Sequence, residues 1–229
     1  MSHAAPRSAA ASVIIADDHP LFRAALRETV GRLLAGAEVV EAQDMASLER
    51  ATEQHSEADL TLLDLHMPGA HGFSSLIYLR SHYPSMPVIV VSAAEGGDIV
   101  QRAVDFGAAG YIPKSSSLDA IADAITAVCD GNLWFPAIDA DSDGGDAELA
   151  EKLSSLTPQQ FRVLIMIADG LLNKQIAYEL DVSEATIKAH VTAILRKLGL
   201  YSRTQAAVIA ERLQIHPPRV SDDASAASG

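Results

Sequence analysis

The chain has 229 residues and a formal net charge of −13 at pH 7, which is length enough for two domains that each bury a core. Hydrophobic residues make up 48% of it, yet no apolar run approaches the roughly 18 residues of a membrane span, so we expect a cytoplasmic protein with no membrane segment. The single cysteine, Cys129, excludes an internal disulfide and fits a reducing compartment.

The first half of the chain alternates short apolar runs with helical patterns. Before it, residues 1–12 are rich in Ala and Ser without the apolar core of a signal peptide, so we expect a flexible N-terminus. The predicted strands are Val13–Ala16, Glu38–Ala42, Leu60–Leu63, Val88–Val91 and Gly110–Ile112. The predicted helices lie near His19–Leu34, Met45–Gln54, Phe73–Ser81, Asp98–Phe106 and Leu118–Cys129. Strands of nearly continuous Val, Ile and Leu predict a flavodoxin-like, doubly wound α/β domain with a five-strand parallel sheet over 13–135.

The composition of the second half indicates a linker and a helical domain. Asp, Gly, Ala and Ser predominate after the sheet, which predicts an acidic linker over 136–153. The later periodic segments predict a small all-α domain of four helices over 154–216 and a disordered tail over 217–229. Residues 154–216 contain seven Lys and Arg against five Asp and Glu, so this domain can meet a polyanion despite the acidic chain.

Polar residues follow three of the predicted strands at their carboxyl ends. Asp17 and Asp18 follow the first strand, Asp64 the third and Lys114 the fifth. The strand order 2-1-3-4-5 would bring the carboxylates together at one edge of the sheet. Three like charges require a compensating cation, and oxygen ligands suit Mg²⁺. Asp64 could then act as a nucleophile toward phosphorus, with Lys114 neutralising the transferred charge.

Taken singly, these residues have ordinary explanations. An Asp-Asp pair often caps a helix, a lone lysine is usually a surface residue, and Tyr111 alone would be a core aromatic. The ordered set at strand ends favours a phosphorylation pocket instead. A transition-metal site at His66 and His71 is disfavoured by the hard acidic neighbours.

The same segments resemble the receiver domain of two-component response regulators. The matching segments are Asp17-Asp18, Leu62–Gly69, Val90–Ala93 and Gly110–Ser115. The resemblance implies that a sensor histidine kinase phosphorylates Asp64. The Mg²⁺ ligands that it implies are Asp17 acting through water, Asp18, Asp64 and the His66 backbone carbonyl. The phosphoryl-binding and switch residues that it implies are Ser92, Tyr111 and Lys114.

The helical domain has the order of a helix-turn-helix, whose last helix lies in the major groove. In that helix the spacing of Ile187, Val191 and Leu195 predicts an inward face. Four segments resemble the LuxR-type, or NarL/FixJ-type, DNA-binding domain: Leu156–Pro158, Ala168–Ala177, Val182–His190 and Leu198–Ala206. The resemblance implies base contacts from Glu184, Thr186, Lys188, Ala189 and Thr192. It implies DNA-backbone contacts from Asn173, Lys174, Lys197 and Ser202, and dimerisation through Ser202–Leu213.

This domain departs from the family pattern at the start of its first helix. Gln160 stands where the family usually has Glu, and Phe161 where it often has a basic residue, so we expect an internal salt bridge to be missing. Gln160 can still form a capping box with Thr157, since glutamine also serves at that position.

The sequence therefore predicts a response regulator and transcriptional regulator that is not an enzyme. Phosphorylation of Asp64 would change its dimerisation and its binding to inverted-repeat half-sites in double-stranded DNA. The alternative is a phosphorylation-independent DNA-binding regulator whose receiver-like domain serves protein contacts. A phosphotransferase of the haloacid-dehalogenase kind is disfavoured, because it needs a second carboxylate where His66 stands.

Overall fold

The structure, a computed structural model, describes residues 11–136, 147–211 and 213. One parallel sheet of five strands has the order β2-β1-β3-β4-β5, as predicted. The strands are β1 (Ser12–Ala16), β2 (Glu38–Ala42), β3 (Leu60–Leu63), β4 (Val88–Ser92) and β5 (Gly110–Pro113). The helices between and after them are α1 (Pro20–Leu33), α2 (Met45–Gln54), α3 (Ser74–His82), α4 (Gly97–Asp105) and α5 (Leu118–Cys129). Each of these boundaries lies within one residue of the prediction.

Both faces of the sheet are buried, which explains the continuous apolar strands. Side chains alternate along β1, so Val13 and Ile15 pack with α1 and α5, whereas Ile14 packs with α2, α3 and α4. β3 and β4 follow the same alternation. Because the apolar side chains of β1, β3 and β4 are buried on one face or the other, the carboxyl edge of the sheet is held rigidly.

The second half is helical, with α6 (Ala147–Ser154), α7 (Pro158–Ala168), α8 (Asn173–Glu179), α9 (Glu184–Leu198) and α10 (Arg203–Glu211). The predicted capping box begins α7: Thr157 Oγ1 accepts from the Gln160 N–H at 3.3 Å, and Gln160 Oε1 accepts from the Thr157 N–H at 3.1 Å. α9 ends at Gly199, whose φ of 69° is left-handed. Over the described ranges, no helix is long and apolar enough to cross a membrane.

The predicted linker over 136–153 differs from the structure in its last part. Residues 147–154 form α6, which adds a helix to the four that were predicted for this half. Leu149 and Leu153 lie one turn apart and are both buried, and α6 contacts α3 and α4 of the sheet domain. Burial against α3, α4 and α9 thus stabilises a helix that has only a short apolar pattern of its own. The predictions for 1–10, 137–146 and 217–229 lie outside the described residues.

The inward face of α9 is broader than predicted, since Ile187, Val191 and Leu195 all pack into the core and further residues join them. Ile187, Ile194 and Leu198 are buried, whereas Val191 and Leu195 are only partly so. A straight α-helix has 3.6 residues per turn, so a strict four-residue spacing drifts around the helix. Ile194 and Leu198, which lie seven and eleven residues after Ile187, remain on the buried face.

The two domains are in contact through α3 and α4 on one side and α6 and α7 on the other. Among the described residues, an ion pair of Arg162 with Glu49 crosses the contact, and His71 Nε2 lies 3.6 Å from Asp169 Oδ2. A backbone hydrogen bond also crosses it, from the Phe73 N–H to the carbonyl of Leu213 at 3.0 Å.

Candidate functional sites

Strand order brings two of the predicted carboxylates together. β1 and β3 are parallel neighbours whose last pair is Ala16 and Leu63, so Asp17 and Asp64 follow side by side. The Asp64 N–H donates to the Ala16 carbonyl at 2.8 Å, which fixes this register one residue further. Both side chains are buried, at 1% and 2% exposure. Two buried like charges are unfavourable unless a cation compensates them.

Lys114, which directly follows β5, supplies a cation to this pair. Its Nζ lies 2.8 Å from Asp17 Oδ2 and 2.8 Å from Asp64 Oδ2. Burial alone would lower the pKa of Lys114, but its contacts with the two carboxylates outweigh burial and raise that pKa above its usual value. Burial raises the pKa of Asp64, and hydrogen bonds from Lys114 and the His66 N–H oppose this rise only in part.

His19 belongs to the same pocket, although it was not among the residues predicted to form it. Its Nδ1 lies 2.6 Å from Asp18 Oδ1, 3.3 Å from Asp17 Oδ1 and 3.8 Å from Asp64 Oδ2. The same nitrogen lies 3.2 Å from Lys114 Nζ. The one signal in the sequence was its place directly after the Asp17-Asp18 pair.

The pocket has the chemistry of a site for a hard divalent cation. One ligand atom from each of Asp17, Asp18, His19 and Asp64 can be chosen so that all lie within 4.8 Å of one another. Three of these side chains offer carboxylate oxygens, the ligands that Mg²⁺ prefers. The His66 N–H donates to Asp64 Oδ1 at 3.0 Å, which orients the carboxylate. The implied role of the His66 carbonyl as a ligand stays a prediction.

Ser92 and Tyr111, the two predicted switch residues, both contact Ala94. Ser92 is buried at the end of β4, and its Oγ accepts from the Ala94 N–H at 3.3 Å. Tyr111 is also buried and donates its hydroxyl to the Ala94 carbonyl at 2.6 Å. Burial raises the pKa of Tyr111 to about 12, so its hydroxyl is a neutral donor. A displacement of the loop after β4 would therefore reach both residues.

The predicted base-contacting residues form an exposed surface on α9. Glu184, Thr186, Lys188, Ala189 and Thr192 are all exposed. Ser183 caps the helix by accepting from the Thr186 N–H at 3.1 Å. Lys188 Nζ pairs with Glu184 Oε1 at 3.0 Å, so part of its charge is compensated one turn away. The receiver side of the molecule leaves this surface open.

The residues predicted to contact the DNA backbone differ in their exposure and in their hydrogen bonds. Lys174 is exposed, and Ser202 Oγ accepts from the Gln205 N–H at 3.2 Å at the start of α10. Lys197 is engaged within the domain, where its Nζ donates to the Ser155 carbonyl at 2.6 Å and to Gln160 Oε1 at 2.9 Å. Gln160 carries no charge, so its contact with Lys197 is a hydrogen bond and not a salt bridge.

Comparison with known proteins agrees with both halves of this description. The model of the response regulator receiver domain matches residues 13–126, and that of the luxR family of bacterial regulatory proteins matches 154–210. The glycerol metabolism activator of Pseudomonas putida is 43% identical over 203 residues, which is 85% of this chain and 92% of that protein. The nitrate/nitrite response regulator protein NarP of Escherichia coli K12 is 35% identical over 214 residues, covering 89% of this chain and 96% of that protein.

A solved structure has the same domain content. RcsB from Salmonella enterica serovar Typhimurium, bound to a promoter in the presence of the phosphomimetic BeF3⁻, matches with a TM-score of 0.53 and 26% identity. The match covers 90% of this chain and 100% of the RcsB chain.

Proposed function

Because the chain belongs to the response regulators that join a receiver domain to a LuxR-type DNA-binding domain, we propose that phosphorylation of Asp64 controls its binding to promoter DNA. The donor would be the phosphohistidine of a partner sensor kinase, and the protein would act in the cytoplasm. The observation that carries the proposal is the buried Asp64 carboxylate, set beside Asp17 and 2.8 Å from Lys114 Nζ.

The chemical step follows from these contacts. A carboxylate oxygen of Asp64 attacks the phosphorus, the P–N bond of the phosphohistidine breaks, and an acyl phosphate forms while the imidazole leaves. Lys114 can bind the phosphoryl oxygens once Asp64 carries the phosphoryl group, because its Nζ already donates to Asp64 Oδ2. Asp17, Asp18 and Asp64 would hold Mg²⁺, which when bound neutralises charge on the transferred phosphoryl group.

The structural change caused by phosphorylation would pass from the pocket to the second domain through Ala94 and α4. Ser92 would bind a phosphoryl oxygen, and its movement would reach Ala94, which Tyr111 also contacts. Ala94 lies in the loop that leads into α4, and α4 contacts α6 of the second domain. We propose that phosphorylation shifts the population of this packed arrangement, as a two-state switch requires.

We call the packing of α6 and α7 against α3 and α4 the closed arrangement. It would restrain dimerisation of two chains more than the contact of α9 with DNA bases. The base-contacting surface of α9 is exposed, whereas the carbonyl of Leu213, just beyond α10, is bound by the Phe73 N–H. Since the segment Ser202–Leu213 is the proposed dimerisation element, release of this contact would favour a homodimer on two half-sites. A dimer raises affinity because one domain carries little net charge.

The test uses the full chain with Mg²⁺ and acetyl phosphate, followed by intact mass and binding to inverted-repeat DNA. We expect one phosphate on the wild type and on Asp123→Asn, a matched variant at an exposed carboxylate, with tighter DNA binding. Asp64→Asn should take up no phosphate and keep its basal affinity. Absence of phosphate from the wild type with acetyl phosphate and with a kinase, while DNA binding persists, would favour the phosphorylation-independent regulator.

The direction of control is a separate proposal. The Pseudomonas putida relative is called an activator, and we propose that this chain also raises transcription from its promoters. Transcription in vitro from a bound promoter should increase when phosphorylated protein is added. A decrease would identify a repressor.

A further inference from the structure

Two loops of the DNA-binding domain lie side by side, before α8 and before α10. Arg203 joins them, because its Nη1 donates to Asn173 Oδ1 at 2.9 Å and its Nη2 donates to the Leu171 carbonyl. We call the joined surface the loop edge. It consists of Leu172, Asn173, Lys174, Tyr201 and Ser202.

The loop edge holds two large apolar side chains in solvent. Tyr201 is 94% exposed and Leu172 is 66% exposed. The backbone that carries them is fixed, since Gln205 Oε1 accepts from the Tyr201 N–H at 2.8 Å and Gln175 Oε1 accepts from the Leu172 N–H at 2.7 Å. An exposed aromatic on an ordered backbone loses little conformational entropy when a partner binds, so the edge suits a contact surface.

Charge and hydrogen-bond donors favour DNA as the partner. Residues 199–205 contain no Asp or Glu, and the exposed Lys174 lies on the same edge. Tyrosine hydroxyl, asparagine amide and lysine ammonium groups are all donors to phosphate oxygens. Tyr178 offers a contrast, because it is 86% exposed on α8 but is followed by the carboxylate of Glu179.

We infer that Tyr201 contacts the sugar–phosphate backbone of bound DNA, and that Arg203 is a positioning residue that holds Tyr201 and Asn173 on one edge. The inference rests on the proposed DNA-binding function. The Arg203 guanidinium is already used inside the domain. Since the Asn173 amide oxygen accepts from Arg203, the amide N–H groups of Asn173 are the part that can reach a phosphate.

The first test measures affinity of the phosphorylated full chain for an inverted-repeat DNA and for a scrambled duplex. Tyr201→Ala should weaken binding to both by about tenfold, because a backbone contact does not depend on base sequence. Tyr178→Ala, the matched control, should bind both as the wild type does. Unchanged affinity of Tyr201→Ala, or a loss confined to the inverted repeat, contradicts a backbone contact.

The second test separates positioning by Arg203 from a direct charge contact. Arg203→Met and Arg203→Lys should both weaken binding while the dependence of log affinity on log salt keeps its wild-type slope. A direct phosphate contact would instead lower the slope by about 0.9 in Arg203→Met and be restored in Arg203→Lys. Thermal melts establish that the variants are folded. Asn173→Ala removes the acceptor of the Arg203 hydrogen bond and gives a second measure of the loss of DNA affinity.

The outcomes for function and for the inference are distinct. If the wild type binds DNA and Lys188→Ala loses preference for the inverted repeat while the loop-edge variants bind normally, the inference alone fails. If the wild type binds neither duplex, the DNA-binding function fails, and the inference with it.

Discussion

At the scale of single residues, the pocket depends on Lys114. One ammonium group lies 2.8 Å from each of two buried carboxylates that the strand order forces together. Asp17 and Asp64 would otherwise repel each other in a site with little water. Lys114 therefore has a structural role as well as its proposed role in phosphoryl binding. Measuring the free energy of unfolding separates the two roles.

Replacement of Lys114 should destabilise the receiver domain. We expect Lys114→Gln to lower the free energy of unfolding by about 3 kcal/mol, because breaking a buried ion pair leaves uncompensated charge. Added Mg²⁺ should restore more stability to this variant than to the wild type, since a bound cation replaces the lost charge. Urea denaturation with and without Mg²⁺ measures both effects. Equal stabilisation of the two proteins by Mg²⁺ would contradict this account.

Glu41 gives a pH-dependent prediction at the same scale. Hydrogen bonds from Arg23 and Arg27 hold the pKa of Glu41 below its usual 4.5, although burial opposes them. A carboxyl whose folded pKa is lowered stabilises the fold above pH 4.5, and this contribution disappears as the pH falls through the folded pKa. Glu41→Gln should therefore cost about 0.5 kcal/mol at pH 7, given the partial exposure of the pair. Denaturation series should show that this difference shrinks below pH 4.5; a difference independent of pH would exclude the ionised pair as its cause.

At the scale of elements, α6 connects the two domains. It lies where the composition predicts a linker, contains the buried Leu149 and Leu153, and contacts α3 and α4 of the sheet domain as well as α9. A helix of eight residues is marginal in water, so its persistence here depends on that packing. The same dependence makes α6 sensitive to a movement of α4.

Loss of one apolar contact should uncouple α6. Leu153→Ala should lower stability by about 3 kcal/mol, as buried leucine truncations do, and should expose 147–154 to proteolysis. The exposed neighbour Lys152→Ala serves as the control. DNA affinity of unphosphorylated Leu153→Ala should approach that of the phosphorylated wild type. Retention of the full phosphorylation dependence would show that α6 does not transmit the switch.

At the scale of the whole molecule, few polar contacts join the two domains among the residues that the structure describes. The pair of Arg162 with Glu49 and that of His71 with Asp169 lie at the rim, beside the apolar contact of α3 with α7. Ion pairs with solvent access contribute little each and weaken with salt. The closed arrangement is therefore suited to be reversed by a small free-energy change in the receiver domain.

Removal of the Arg162 pair should open the molecule. Arg162→Gln should increase the radius of gyration of the unphosphorylated protein in small-angle scattering, and its DNA affinity should rise about fivefold, equivalent to about 1 kcal/mol of lost domain contact. Arg50→Gln, at an exposed arginine next to Glu49, should change neither quantity. An unchanged radius together with unchanged affinity would mean that this pair does not hold the closed state.

The sequence by itself determined the strands, the sheet-domain helices and which polar residues stand at the strand ends, because these follow from apolar patterns and helix caps. Chemistry within a few residues of each position is sufficient for such features. The tertiary structure alone decided that 147–154 is helical, that His19 joins the pocket and that Lys197 binds Ser155 and Gln160. Each of these depends on contacts between residues far apart in the chain. Their free energies are set by packing between elements, for which a local pattern carries no signal.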